Sequence, residues 1–288
     1  MVGVVTAPQK FSISYRPEGV VNVLHADVES YCMAKHIPTY KINNGMKSDA
    51  LFNQVRTWNP DIFLVAGWYH MLPKKWLELT PAYGLHASLL PDYSGGAPLV
   101  WAMINGEKQT GITLFKFNSG VDNGPILGQK RTTIYETDTI ATLYVRIEKL
   151  GLELIQKNIP ALTNGTAILT PQDDSQRRIF PQRGPEDGII DWSRTAMELH
   201  NFIRAQTRPY PGAFTTWKGK RLTIWKAQES THTETQELKH GEVSHESKAM
   251  LINTRNNFIE VLEVTYGQQE ITGQELKKII GMGAVLGT

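Results

Sequence analysis

The sequence predicts an α/β protein followed by a smaller all-β piece, and three observations carry this expectation. Apolar, β-branched runs alternate with stretches of helical periodicity through the first third of the chain. The run over residues 61–66 is apolar nearly throughout, the pattern of a strand in a parallel sheet covered on both faces. Beyond Arg208, short strand-like runs are separated by polar loops.

The elements follow in order. A first strand is predicted over residues 2–5, a helix near 26–35, a strand over 37–40 and a helix near 49–57. After the strand at 61–66, Pro73 opens a short helix that runs to Leu79. Pro98 suits a first helical position, Leu99, Val100, Met103 and Ile104 give that helix one apolar face, and Asn105-Gly106 ends it. Residues 111–117 return as a strand. Residues 172–184 are polar and read as a connection, and a helix follows near 195–204. Arg208-Pro209-Tyr210-Pro211-Gly212 is turn chemistry, and strands near 221–226, 249–253 and 258–264 suggest a small β-barrel of the last 76 residues. The expected domains are residues 1–182, a connecting segment at 183–212, and 213–288.

Composition excludes several classes. The formal net charge of +2, with 41% hydrophobic and 20% charged residues, is that of a soluble globular protein rather than a disordered or membrane-spanning one. The single cysteine, Cys32, forms no internal disulfide, so a secreted, disulfide-stapled fold is out. The N-terminus lacks a basic start followed by a long apolar region, and it carries Val2 where myristoylation needs a glycine, so a cytoplasmic location is the expectation.

In open α/β sheets ligands bind where strand C-termini meet the next loop, which directs attention to residues 67–72 and to His86 onward. Leu85-His86-Ala87-Ser88-Leu89-Leu90-Pro91 runs from a strand end into a loop that feeds a helix. A lone histidine there reads as a satisfied group at a sheet edge or as a proton carrier. Ser94-Gly95-Gly96 before Pro98 reads as an ordinary turn or as backbone donors offered to an anion. Asn118-Ser119-Gly120-Val121-Asp122-Asn123-Gly124 is a glycine-punctuated loop with one carboxylate, 36 residues after His86. His232, His240 and His245 lie in a polar, acidic stretch without ligand spacing and read as solvated, so no metal is expected.

The combination of His-x-Ser-Leu-Leu-Pro at His86 with the downstream Asp122 resembles the 10-formyltetrahydrofolate-dependent formyltransferases, which include enzymes acting on methionyl-tRNA and on amino-sugar nucleotides. Pro185-Glu186-Asp187-Gly188-Ile189-Ile190-Asp191-Trp192, His200 to Arg204, Pro209-Tyr210-Pro211-Gly212-Ala213-Phe214 and Gly283-Ala284-Val285-Leu286-Gly287 extend the resemblance over most of the chain. It implies a Rossmann-like formyltransferase domain with a parallel-rich sheet and a small C-terminal OB-like β-barrel. It implies catalytic roles for His86 and Asp122. It further implies that Gly67, Trp68, Tyr69, His70, Met71 and Leu72, with Asn118, Ser119, Gly120 and Val121, surround 10-formyltetrahydrofolate. Ser88, Ser94, Gly95 and Gly96 would form the substrate loop.

Two features depart from that pattern. The family carries an asparagine two residues before the histidine, where this chain has Gly84. Gly84→Asn is then expected either to raise a weakened rate, by restoring an oxyanion donor, or to crowd a pocket rebuilt around the glycine. Residues 2–8 resemble the family's second strand, so a strand and helix, about 30 residues on the βαβ scale, are expected to be lacking. For the formyl acceptor, residues 213–288 carry nine Lys and Arg against nine Glu and no Asp, and residues 9–25 offer only Lys10 and Arg16. A polyanion needs a more basic surface, so tRNA is disfavoured and an amino-sugar nucleotide is the expected amine. A folate hydrolase or a non-catalytic folate-binding paralogue is the alternative class, no membrane is involved, and the oligomeric state stays open, a homodimer included.

Overall fold

The computed structural model describes the chain apart from residues 14, 15, 44, 234 and 288. In chain order the elements begin with β1 (Val4–Thr6), β2 (Lys10–Ile13), β3 (Arg16–Val21), α1 (Val28–Ala34), β4 (Thr39–Lys41) and α2 (Asp49–Thr57). They continue with β5 (Phe63–Val65), α3 (Lys74–Leu79), β6 (Ala82–His86), β7 (Ser94–Gly95), α4 (Pro98–Ile104), β8 (Gln109–Lys116), β9 (Ile126–Thr133) and α5 (Ile140–Thr163). The last part holds β10 (Ile179–Phe180), α6 (Ala196–Arg204), β11 (Ala213–Trp217), β12 (Lys220–Ser230), β13 (Leu251–Asn253), β14 (Phe258–Tyr266), β15 (Gln269–Thr272) and α7 (Gly273–Ile280). Two compact units share these elements. One comprises Met1–Ser94, Ile112–Lys130 and Leu150–Arg178; the other comprises Gly95–Gly111, Arg131–Lys149 and Ile179–Thr288.

In the first unit, β1 pairs in parallel with β4, and a separate mixed sheet runs in the order β5-β6-β8-β9. β5 is parallel to β6, whereas β8 is antiparallel to it, with Gly84 opposite Phe115 and His86 opposite Thr113. The helix α2 starts because the Ser48 hydroxyl accepts the Leu51 N–H at 3.3 Å, a side-chain cap for an otherwise orphaned donor. Its Leu51 and Val55, four residues apart on one face, are buried with Ile42, Met46 and Trp76. Full burial of side chains of that size contributes roughly 1.5–3 kcal/mol each. Val5 of β1 and Phe63 of β5 both pack on this cluster, although β1 and β5 do not pair with one another.

The expectation that the strand at 61–66 is covered on both faces needs correction. β5 is three residues long, hydrogen-bonded on one edge only, and Leu64 is 45% exposed. Strand alternation explains this: Phe63 faces the α2 cluster, so Leu64 faces the other way. The sheet is also mixed rather than parallel throughout, because β8 returns beside β6 in the opposite sense. Within residues 9–25, where the sequence offers only Lys10 and Arg16 as basic groups, β2 and β3 pair antiparallel.

In the second unit, a five-stranded antiparallel sheet takes the order β11-β12-β14-β13, with β15 also on β14. α6 and α7 each begin with a reciprocal cap, Thr195 with Glu198 and Thr272 with Glu275. α7 is not among the elements expected from the sequence, although that Thr-x-x-Glu pattern ahead of Leu276 and Ile280 is a signal for it. Among the described residues, no helix is long and apolar enough to cross a membrane.

Candidate active site

His86 is the last residue of β6, so its side chain stands at the C-terminal edge of the sheet, where the chain turns away. The turn is held from beneath by Thr113, directly opposite on β8. Its hydroxyl donates to the Ser88 carbonyl at 2.7 Å and accepts the Leu90 N–H at 3.1 Å. The Gln129 amide nitrogen donates to the same hydroxyl at 2.9 Å and to the Leu90 carbonyl at 2.8 Å. The Ser88 hydroxyl donates to the Asp92 carbonyl at 2.7 Å, and that of Ser94 to the Pro91 carbonyl at 2.9 Å. Both serines thus brace the loop from within.

This bracing delivers the Tyr93 carbonyl to His86 Nε2 at 2.8 Å. A carbonyl only accepts, so Nε2 carries the proton and donates it there. Nδ1 is the nitrogen left for chemistry, and it faces Asp122 Oδ2 at 3.6 Å, with the two side chains only 10% and 18% exposed. Tyr93 and Asp122 both have left-handed backbone, φ +54° and +48°, an uncommon conformation for residues other than glycine. Each is held in it by neighbours. The Arg178 guanidinium lies 4.9 Å from the Tyr93 ring centre and makes a two-pronged bridge to Asp92 at 2.7 and 2.6 Å. The Gln172 amide donates to the carbonyls of Asp122 at 2.8 Å and Gly124 at 2.6 Å, and Arg177 donates to the Val121 carbonyl at 3.2 Å. Gln172, Arg177, Arg178 and Tyr93 were missed as site residues from sequence. The polar stretch that carries three of them looked like a plain connection.

Within the loop, Asn118 caps the Gly120 N–H at 3.0 Å, leaving the backbone of Asn118, Ser119, Gly120 and Val121 as a tight turn ahead of Asp122. Gly67, at φ +59°, starts the turn after β5 that carries Trp68, Tyr69, His70, Met71 and Leu72. The β2 residue Phe11 lies 5.2 Å from Tyr69 and 5.5 Å from His70, ring centre to ring centre. Burial holds the His70 imidazole below its ordinary titration range. Leu72 packs on the α2 cluster, while Met71 is exposed. Ser94 donates its N–H to the Arg178 carbonyl at 3.0 Å, and Gly96 donates to the Phe180 carbonyl at 2.8 Å, so these two amides are engaged within the protein. A Cβ on Gly95 would lie 2.4 Å from the Phe180 carbonyl oxygen, so glycine is what lets the two strands approach.

Among the described residues, three buried side-chain polar atoms have no partner: Trp68 Nε1, His70 Nε2 and Asn123 Oδ1. Orphaned buried polar atoms are rare enough in folded proteins to call for a ligand or another cause. Two lie in the turn after β5, which the sequence resemblance links to folate, and the third, on Asn123, lies two residues beyond the stretch Asn118 to Val121 that it links as well. A heteroatom-rich, planar ligand fits such a set.

His232 packs on Phe258 with ring centres 5.3 Å apart, and His245 meets Glu242 at 3.1 Å. Among the described residues no group of three or more His, Cys, Asp or Glu is arranged to hold a metal.

Comparison with known proteins places the chain in a family. Residues 9–159 match the formyl transferase family, and residues 183–280 match the formyl transferase C-terminal domain. Among solved structures, HypX from Aquifex aeolicus in complex with tetrahydrofolic acid is 16% identical with a TM-score of 0.65, over 95% of this chain and 46% of that one. The chain therefore spans about half the length of HypX. An N-formyltransferase from Helicobacter canadensis, in complex with folinic acid and dTDP-3-aminofucose, is 19% identical with a TM-score of 0.60, covering 91% and 99% of the two chains. Methionyl-tRNA formyltransferase from Clostridium thermocellum is 21% identical with a TM-score of 0.58, covering 81% and 96%. At these identities the structural likenesses speak for the fold, while the family match extends over more than half of the sequence. The chain belongs to the formyl transferase family.

Proposed function

We propose that this protein transfers a formyl group from 10-formyltetrahydrofolate to the primary amine of an amino-sugar nucleotide. The observation that carries this reading is the orientation of His86, with Nε2–H committed to the Tyr93 carbonyl and Nδ1 turned toward Asp122. When bound, the folate supplies a formyl carbon activated on N10. His86 Nδ1 is the base available to take the proton that the attacking amine must lose. The imidazolium so formed stands beside the Asp122 carboxylate, which stabilises it, and it then returns the proton to the departing nitrogen. Asp122 accordingly acts through charge and orientation, and it stays on the same side of the ring because Gln172 grips its backbone.

We assign Trp68 Nε1 and His70 Nε2 to the folate on the strength of the unpartnered buried atoms, and the turn Asn118 to Val121 because the unpartnered Asn123 Oδ1 follows it closely in the same loop. We assign the catalytic and donor role to residues 1–182 and read the C-terminal antiparallel sheet as the OB-like part. The balanced charge of residues 213–288 supports a small acceptor over a nucleic acid.

The test is incubation with 10-formyltetrahydrofolate, with and without a dTDP-amino sugar, following tetrahydrofolate, formate and formylated sugar. Formylated sugar supports the proposal. Formate alone, without dependence on the amine, makes the protein a hydrolase, and donor binding without turnover makes it a binding protein. Steeply salt-sensitive binding of initiator tRNA in a gel shift moves the acceptor to methionyl-tRNA.

A further inference from the structure

We propose that Phe117 stands in for the missing side chain of residue 84 and seals the His86 side of the site against water, so that the formyl group goes to an amine rather than to hydroxide. The inference rests on the formyl-transfer reading above and adds a residue to it.

Gly84 lies within β6 and has ordinary extended backbone, so its glycine is not required by conformation. It is required by space. A Cβ built there would lie 2.1 Å from Phe117 Cε2 and 2.6 Å from Cζ, well inside any permitted contact. The ring cannot simply swing clear, because it packs on Phe115, centre to centre 4.9 Å, and Phe115 is fully buried beneath it.

The face matters as much as the clash. Residues 84 and 86 of one strand project to the same side, about 7 Å apart. Cross-strand partners share that side, so Phe115 and Thr113, opposite Gly84 and His86, lie on it too. Phe117 is diagonal to Gly84 and leans its ring into the vacant 84 position, next in the row to His86. Phe115 and Thr113 are sealed beneath, whereas Phe117 is only partly buried and is the aromatic group of this row with a free flank. The chain then leaves Phe117 through Asn118 and returns at Asp122 to face His86 Nδ1. The Phe117 backbone pairs at Ala82, the end of β6 away from His86, so it is the ring, reaching the 84 position, that comes next in the row to His86. The ring makes that stretch of the row apolar where a side chain on residue 84 would otherwise stand.

An apolar wall beside a general base has a chemical consequence. Water admitted there would be activated by the same Nδ1. Its oxygen would bond to the formyl carbon, the C–N10 bond would break, N10 would take a proton, and formate and tetrahydrofolate would leave. Excluding water suppresses this side reaction while leaving the base available to an amine.

Two measurements test the proposal. The first needs no turnover: Gly84→Ala should lower the thermal unfolding midpoint by several degrees in the native background and leave it unchanged in a Phe117→Ala background, where the new methyl has room. Equal penalties in both backgrounds overturn the packing relationship. The second is acceptor-free release of formate from 10-formyltetrahydrofolate. Phe117→Ala should raise it about tenfold relative to formyl transfer, and Phe117→Leu, which keeps apolar bulk if the alanine variant folds poorly, should give a smaller rise. An unchanged ratio of formate to formylated amine in a protein that does transfer formyl groups overturns the role of Phe117 alone. Absence of any tetrahydrofolate release from the unmodified protein, with every acceptor tried, overturns the functional reading beneath it.

Discussion

His86 turns Nδ1 toward Asp122, 3.6 Å away, because its other ring nitrogen is spent on the Tyr93 carbonyl at 2.8 Å. The nitrogen that faces the carboxylate is thus selected by a backbone oxygen. If Nδ1 moves the proton, His86→Ala should cut formyl transfer by a hundredfold or more, the scale for losing a general acid or base. Asp122→Asn should cost less, since the amide preserves shape and removes only the charge beside the imidazolium. Single-turnover rates and unfolding curves on the same samples check both, and a loss of rate that tracks a loss of fold would refute the assignment.

The aim of Asp122 depends on Gln172, whose amide serves the Asp122 and Gly124 carbonyls at once. In Gln172→Ala both carbonyls lose that donor, at a cost of about 1–3 kcal/mol for buried groups, and the left-handed turn at Asp122 loosens. Transfer should fall about tenfold with donor affinity nearly retained, because the damage lies in the position of the carboxylate. Titration of folate binding by tryptophan fluorescence beside rate measurements separates the two effects.

Acid stability should depend on Asp138, which is buried against Arg146 at 2.5 Å, accepts the Tyr135 N–H at 2.8 Å and the Thr142 hydroxyl at 2.8 Å. Desolvation pushes its carboxyl up, but the hydrogen bonds from Arg146, Tyr135 and Thr142 and the Arg146 charge outweigh it, and the net shift is below the ordinary 3.8. Its contribution is therefore complete above that ordinary value and is lost as pH falls through the lower folded one. Asp138→Asn should destabilise at neutral pH by about 2–4 kcal/mol, since Arg146 is left without its counter-charge. It should also flatten the pH dependence of the unfolding midpoint below about pH 4, which calorimetry over acid pH reads directly.

His70 provides a second pH marker. Burial alone lowers it from its ordinary 6.5, so the folded protein holds it neutral where the unfolded chain would bind a proton. The stability it contributes is full above about 6.5 and declines as pH falls through the folded value. Ring-proton NMR should find the His70 midpoint below the ordinary 6.5, and binding of folate, if it hydrogen-bonds Nε2, should move it again. An unshifted midpoint in the free protein would contradict its burial.

Leu64 is a check on the fold rather than on the chemistry. A leucine in the middle of a doubly covered strand would lose about 2–5 kcal/mol on truncation. At an exposed sheet edge, Leu64→Thr should change stability by no more than about 0.5 kcal/mol. Chemical denaturation of the two proteins distinguishes these values.

The sequence by itself determined which segments are strands and helices wherever pattern and punctuation were local. α2 is observed over Asp49–Thr57 and α4 over Pro98–Ile104, with Asn105-Gly106 at its end, because caps, prolines and apolar spacing act within a few residues. It also determined the family, through the short histidine motif and its distant aspartate. It could not show that Leu64 lies bare, because exposure depends on which strand comes alongside, nor that β8 runs against β6. It could not find Gln172, Arg177 or Tyr93, since their roles consist of bonds across 7 to 56 residues of chain. Gly84 is the sharpest case. In the sequence it is a missing side chain; in the structure the ring of Phe117 already occupies the place, because the antiparallel return of β8 sets residue 117 diagonally across from residue 84, and two atoms cannot share one volume.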